Sequence, residues 1–263
     1  MAISRAQLLK ELLPGLNALF GMEYARYDDE HSAIYETESS DRSFEEEVKL
    51  SGFDAAPVKD EGSAISYDAA QESFTARYNH ETIAMGFAIT EEAMEDNLYD
   101  SLSARYTKAL ARAMAHTKQV KAVVPLNNGF TAAYQGGDGV NLFTASGDGV
   151  TGGDGHPLVS GGKNSNRPAT AVDLNETSLE AAVIQIGKWT DERGLMIAAR
   201  PQTLVIPPDL QFVATRVMKS ELRPGTADND VNAVRSMGVV PGGTVVNHYL
   251  TDTDAWFLLT DVP

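Results

Sequence analysis

The chain has 263 residues, a hydrophobic content of 43%, a formal net charge of −16 and a pI near 4.6. The length allows one large domain or two smaller ones, and the hydrophobic fraction excludes global disorder. The acidity argues against a dedicated nucleic-acid binder, though not against a container whose acidic lining keeps nucleic acid from sticking.

No cysteine is present, which excludes disulfides, a thiolate metal site and a cysteine nucleophile, and suits a reducing cytoplasm. The first residues, MAISRAQLLKELLPGLNALFG, are amphipathic and contain acid and proline, unlike a secretory signal. No run reaches the roughly 18 apolar residues of a membrane span, so no membrane partner is expected.

Residues 5–20 read as a short helix. Leu8, Leu9, Leu12 and Leu13 fall at helical spacing, and Leu16 and Phe20 follow beyond a kink expected at Pro14. Residues 21–43 are polar and irregular and read as an arm. Four β-type runs follow, at 44–50, 63–67, 73–78 and 82–89, around a turn-rich centre at 52–62. They predict a long two-stranded hairpin with its tip near 57–62, which needs a partner surface because two strands alone are not self-supporting.

Thr90 is placed to cap the strongest helix in the chain. Glu91, Glu92, Glu95 and Asp96 load its first turns and Lys118 and Lys121 its last, both favourable to the helix dipole, and Pro125 marks the expected end. Met94, Leu98, Leu102, Tyr106, Leu110 and Met114 repeat every four residues, with Ala109 and Ala113 beside them. Thirty-odd residues make a rod on the order of 50 Å.

Charge is segregated along this first half. Residues 28–100 hold 20 Asp or Glu against Arg42, Lys49, Lys59 and Arg77, a balance of −16 that equals the charge of the whole chain. Residues 101–137 hold Arg105, Lys108, Arg112, Lys118 and Lys121 and no acid. Two readings fit: an acidic arm that lies on a neighbouring subunit's basic surface, or a solvated acidic face that aids solubility.

Residues 136–162 contain ten glycines, with Gly-Asp-Gly triplets at 137–139, 147–149 and 153–155. This stretch reads as loop. The second half alternates helix and strand, in an α+β pattern. A capping box at 177–180 opens a helix to about Arg193, stopped by Gly194. A buried-type strand at 203–206 precedes a helix from Pro207 to about Lys219. Residues 239–240, 244–249 and 255–259 are strand candidates, with 251–254 as a hairpin turn.

Catalytic and metal motifs fail at their defining positions. His80-Glu81 begins a zincin pattern whose second histidine is Ala84. Gly162-Lys163 resembles a phosphate loop whose first glycine is Pro157 and whose Ser/Thr is Asn164. Asp228-x-Asp230-x-Asn232 opens a calcium-loop pattern whose glycine is Ala233 and whose twelfth residue is Val239. The Gly-Asp-Gly triplets read as flexible turns rather than a calcium roll. Asn175-Glu176-Thr177 matches a glycosylation sequon but reads as helix capping. No catalytic residue, cofactor or metal site is expected. A hydrolase would need His156 or His248 to converge with carboxylates under a glycine-rich lid, and a monomeric binding module is the other alternative.

An ordered series of stretches resembles a known family: HPLVSGGKNSN at 156–166, DERGL at 191–195, LVIPP at 204–208, RPGTADND at 223–230, RSMG at 235–238 and VNHYLTDTDAWF at 246–257. Together they resemble the major head (capsid) proteins of tailed phages, in particular the Mu-like prophage major head subunit group. The resemblance covers residues 90–263 well and the first 89 mainly by layout. It implies an α+β, Hong Kong-type capsid fold: N-terminal arm at 1–43, extended β-hairpin loop at 44–89, spine helix and peripheral domain with the glycine-rich loop at 90–169, and axial domain at 170–263. The family usually continues into further peripheral strands beyond the point matching Pro263, so either the chain is truncated there or its sheet closes differently.

The resemblance further implies a virion protein that self-assembles into hexamers and pentamers around packaged double-stranded DNA, in the host cytoplasm, with portal, scaffold or decoration proteins as partners. With the charge pattern, it points to Lys49, Lys59, Asp60 and Glu61 of the hairpin and to Arg105, Lys108 and Arg112 of the helix as subunit contacts. Some members cross-link a loop lysine to a neighbour's asparagine. Lys49 and Lys59, with Asn127, Asn128 and Asn164, are residues of those types, without a motif match.

Overall fold

The computed structural model describes residues 5–88, 90, 99–146, 154–223 and 230–262. The chain divides into two compact units, one of Met1–Glu36 with Glu81–Val123, the other of Thr37–His80 with Val124–Pro263.

In the first unit, helix α1 (Arg5–Tyr24) runs through Pro14 and ends four residues later than expected, with the Phe20 and Tyr24 rings stacked at 5.8 Å. A single 3-10 turn at Glu30–Ala33 interrupts the arm and buries His31, whose backbone N–H donates to Gln119 Oε1 at 3.2 Å.

Helix α2 (Tyr99–Asn128) spans about 45 Å at 1.5 Å per residue. Its expected acidic first turns lie outside the described residues. The buried stripe is Ser103, Thr107, Ala111, Ala115, Gln119 and Val123, again at four-residue steps but one position on from the expected apolar repeat. Tyr106 is half exposed, while Leu110 and Met114 flank the stripe. Pro125 does not end the helix. It costs one backbone hydrogen bond, but Val123 and Leu126 are buried on either side of it and Asn127 is hydrogen-bonded through both side-chain polar atoms, to Tyr249 O and from Thr251 N–H.

In the second unit, β1 (Phe44–Leu50) and β2 (Glu72–Asn79) form an antiparallel ribbon that keeps one register from Phe44↔Asn79 to Val48↔Thr75 and shifts by a bulge before the last pair, Leu50↔Glu72. The expected β-run at 63–67, and that at 82–89 over its described residues 82–88, have no regular structure, so the hairpin is shorter than its sequence pattern, with a long exposed loop between its strands. Two-residue strands β3 (His156–Pro157) and β4 (Lys163–Asn164) pair across the end of the glycine-rich stretch. Around them Asn141, Thr144 and Ala145 are buried, so part of that stretch is organised rather than loose loop.

Helix α3 (Glu176–Ile186) is capped by Asn175, which accepts from Ser178 N–H while the Ser178 hydroxyl receives the Asn175 N–H. The capping box therefore sits two residues earlier than expected, and the helix stops at Gly187, not Gly194. Strand β5 (Pro201–Ile206) is followed by a 3-10 turn at Pro208–Leu210 and by α4 (Gln211–Lys219). A short α5 (Ala233–Met237) was not expected. Asn232, the fifth position of the calcium-like pattern, is its N-cap.

Strands β6 (Thr244–Val246) and β7 (Phe257–Thr260) do not pair with each other. They flank β5, β6 in parallel and β7 antiparallel. Leu204, Val205 and Ile206 are fully buried and apolar, which suits a central strand needing a neighbour on each edge. The core joins Leu174, Leu204, Ile206, Ala214 and Val240, with Leu179, Val217 and Val234 beside them. Residues 239–240, expected as strand, contribute core packing instead. Among the described residues no helix is long and apolar enough to cross a membrane.

Candidate assembly surfaces

Five cations punctuate α2, and they divide into two classes. Lys118 Nζ donates to Asp29 Oδ2 at 2.9 Å, and Lys121 Nζ donates to Glu81 Oε2 at 2.6 Å. Each bond holds its carboxylate below the usual range, the lysine hydrogen bond being the largest cause. Arg105, Lys108 and Arg112 are exposed and form no ion pair among the described residues. Their spacing of three and four places them on one helical face. Lys108 and Arg112 border a groove of about 460 Å³ with Tyr27, Ala109, Ala113 and His116. Two cations beside the Tyr27 and His116 rings and two small alanines give this groove a charge that accepts an acidic segment.

The second surface is the hairpin. One face carries Phe44, Val48 and Leu50, all exposed. Arg77 crosses this face, with its guanidinium 4.4 Å from the Phe44 ring centroid and bonded to Glu46. In the loop, Phe53, Val58, Ile65 and Tyr67 are exposed, Val58 and Tyr67 almost fully. Lys59, Asp60 and Glu61 lie in that loop, exposed, next to the turn that Ser63 closes through two hydrogen bonds to Asp60 O.

Lys49 is placed differently from the other hairpin charges. Its Nζ lies 2.5 Å from Oε1 of Glu192, a buried carboxylate whose other oxygen accepts Val159 N–H at 3.1 Å. Asn127, Asn128 and Asn164 each donate through Nδ2 to a backbone carbonyl of the chain.

Sequence reasoning missed the residues that hold the hairpin neck. Arg193 Nε donates to Gly52 O at 3.2 Å and Nη2 to Ala69 O at 2.9 Å, with Nη1 3.6 Å from Asp54. Its base is fixed by an Asx turn, in which Asp191 Oδ1 accepts from Arg193 N–H and Leu195 N–H. Gly194 completes that turn at φ +85°, a conformation glycine adopts without steric cost. The available signal was the Asp-x-Arg-Gly turn chemistry inside DERGL. On the other side of the hairpin, β2 passes so close to Gly137 that a Cβ there would lie 2.6 Å from Thr75 O.

In the glycine-rich stretch the described histidine is held by bonds within the chain. His156 Nδ1 lies 2.6 Å from Asp138 Oδ2 and Nε2 lies 3.3 Å from Leu142 O, so both ring nitrogens are engaged and neither faces a nucleophile. Asp154 pairs with Lys163. Among the described residues no group of three or more His, Asp or Glu is placed to hold a metal ion.

A family model described as phage capsid protein matches residues 73–262. The chain belongs to that family. The role of this capsid protein is therefore structural, and the resemblance to phage head proteins read from its sequence holds. A search of curated proteins finds no match. Among solved structures, the procapsid of bacteriophage JBD30 aligns with a TM-score of 0.59 at 15% identity, over 94% of this chain and 100% of that one. The capsid of the same phage decorated with minor capsid protein trimers aligns with a TM-score of 0.55 at 15% identity, over 81% and 87%. At such identity these likenesses concern the fold: a mixed helix and strand, α+β capsid fold.

Proposed function

We propose that this capsid subunit self-assembles into an icosahedral phage head that encloses double-stranded DNA, through hexamers and pentamers built in the host cytoplasm. The observation that carries the assembly mechanism is the set of Arg105, Lys108 and Arg112, exposed on one face of α2 while the two later cations of that helix are paired within the chain. A neighbour's acidic arm or hairpin loop, with Asp60 and Glu61 at its exposed end, supplies the opposite charge. Repetition over many copies turns modest contacts into a stable shell.

In this reading residues 1–43 are the arm, 44–89 the extended loop, 90–169 the spine and peripheral domain, and 170–263 the axial domain. Lys59 joins the loop contacts, whereas Lys49 serves the subunit's own fold. A decoration protein is a reasonable outer partner, since minor capsid protein trimers decorate the JBD30 capsid. Portal and scaffold proteins would complete the assembly.

The test is the triple variant Arg105→Glu, Lys108→Glu, Arg112→Glu. It should keep the wild-type circular dichroism spectrum and unfolding midpoint yet form no closed particles by negative-stain microscopy. Normal shells from this variant would sink the charge-pairing mechanism.

A further inference from the structure

The hairpin has a neck. Between the last ladder pair, Leu50↔Glu72, and the exposed loop, the two limbs are tied by a short series of bonds. Ser51 N–H donates to Gln71 O at 2.8 Å, and Gln71 N–H donates to the buried Ser51 Oγ at 2.9 Å. Beyond them, Asp68 accepts N–H groups from Asp54 and Ala69, both at 2.8 Å.

All of this rests on one turn. Arg193, with a side chain 12% exposed, reaches carbonyls on both limbs, Gly52 on the outgoing one and Ala69 on the returning one. Glu192, its neighbour, holds Lys49 at the end of β1. The planar guanidinium fork fixes both limbs at once, which a single ammonium does not. Past the neck, residues 55–67 are exposed and carry no regular strand, so among the described residues the loop has no second anchor in its own unit.

We propose that the 191–194 turn is a clasp that sets the direction in which the hairpin loop leaves the subunit, with Arg193 as a positioning residue for shell assembly. The clasp presents the loop in its docking direction before a neighbour arrives. Association then loses less conformational freedom. This inference rests on the capsid reading and extends it to a residue that acts through bonds within its own subunit.

The experiment compares the wild-type chain with Arg193→Ala and Arg193→Lys, and adds Ser51→Cys with Gln71→Cys in the Arg193→Ala background. Positions 51 and 71 face each other across the neck, and the chain has no other cysteine. Three quantities are read: unfolding midpoint, deuterium uptake across residues 53–70, and yield of closed particles by light scattering and microscopy. The expected result is a folded Arg193→Ala subunit with faster uptake in 53–70 alone. The protein concentration it needs for assembly rises by about tenfold or more. Arg193→Lys shifts in the same direction, and the oxidised cysteine pair restores assembly until it is reduced.

Wild-type assembly by Arg193→Ala, unchanged uptake at 53–70, or no rescue by the oxidised pair would each overturn the clasp. Failure of the wild-type chain itself to form particles would instead remove the capsid assembly reading, and this inference with it. Loss of fold in Arg193→Ala together with wild-type assembly by Arg193→Lys would reduce Arg193 to a stability residue and so overturn its positioning role.

Discussion

A methyl group at position 137 would press against the Thr75 carbonyl, a backbone atom that moves only if β2 moves. Gly137→Ala is therefore expected to destabilise the second unit by about 1–3 kcal/mol, the usual cost of overpacking, read as a lower urea midpoint. Titration acts at the same scale in the first unit. Asp29 and Glu81 are held below the usual carboxylate range by Lys118 and Lys121. A carboxylate with a depressed folded pKa contributes stability that is full above its unfolded value, about 4, and lost as the pH falls through the folded value. The protection factors of amides in the last turns of α2, which compare observed exchange with the intrinsic rate at each pH, should accordingly fall below about pH 4. Lys118→Met with Lys121→Met should flatten that acid limb. An acid limb equally steep in the double variant would show that other groups set it.

Helix α3 depends on a reciprocal cap. Asn175→Ala should cost about 1 kcal/mol, and Asn175→Ser only a few tenths, because serine offers the same acceptor. Capping also shows which parts of the fold were legible. β1, α4 and the central strand followed from local pattern, since their apolar periods and proline starts act within a few residues. The end of α2 did not, because Asn127 and the buried residues around Pro125 outweigh the proline through contacts with residues more than a hundred positions away. The partners of β5 were equally hidden. β6 and β7 are close in sequence and read as a hairpin, but the fully apolar β5 draws one to each edge. The exposed cations of α2 were visible as charge. The Arg193 clasp was not, because its two ends lie 141 residues apart and neither end has a pattern that points to the other.

At the scale of the whole molecule, two electrostatic effects oppose each other. A net charge of −16 makes subunits repel at long range, whereas an acidic loop on a basic helix face attracts at contact. Salt screens both, with a Debye length of about 10 Å at 0.1 M and about 3 Å at 1 M. Assembly rate should therefore rise with moderate salt, pass through a maximum and fall at high salt, as followed by light scattering. A rate that climbed without a maximum would mean that apolar contacts alone drive association. The clasp also has a consequence in time. Translation at roughly 5–20 residues per second separates Gly52 from Arg193 by an interval on the order of ten seconds. Throughout that interval the hairpin neck lacks its guanidinium tie. A growing chain on the ribosome thus carries its joining loop undirected, and the loop is aimed only after most of the subunit has been made.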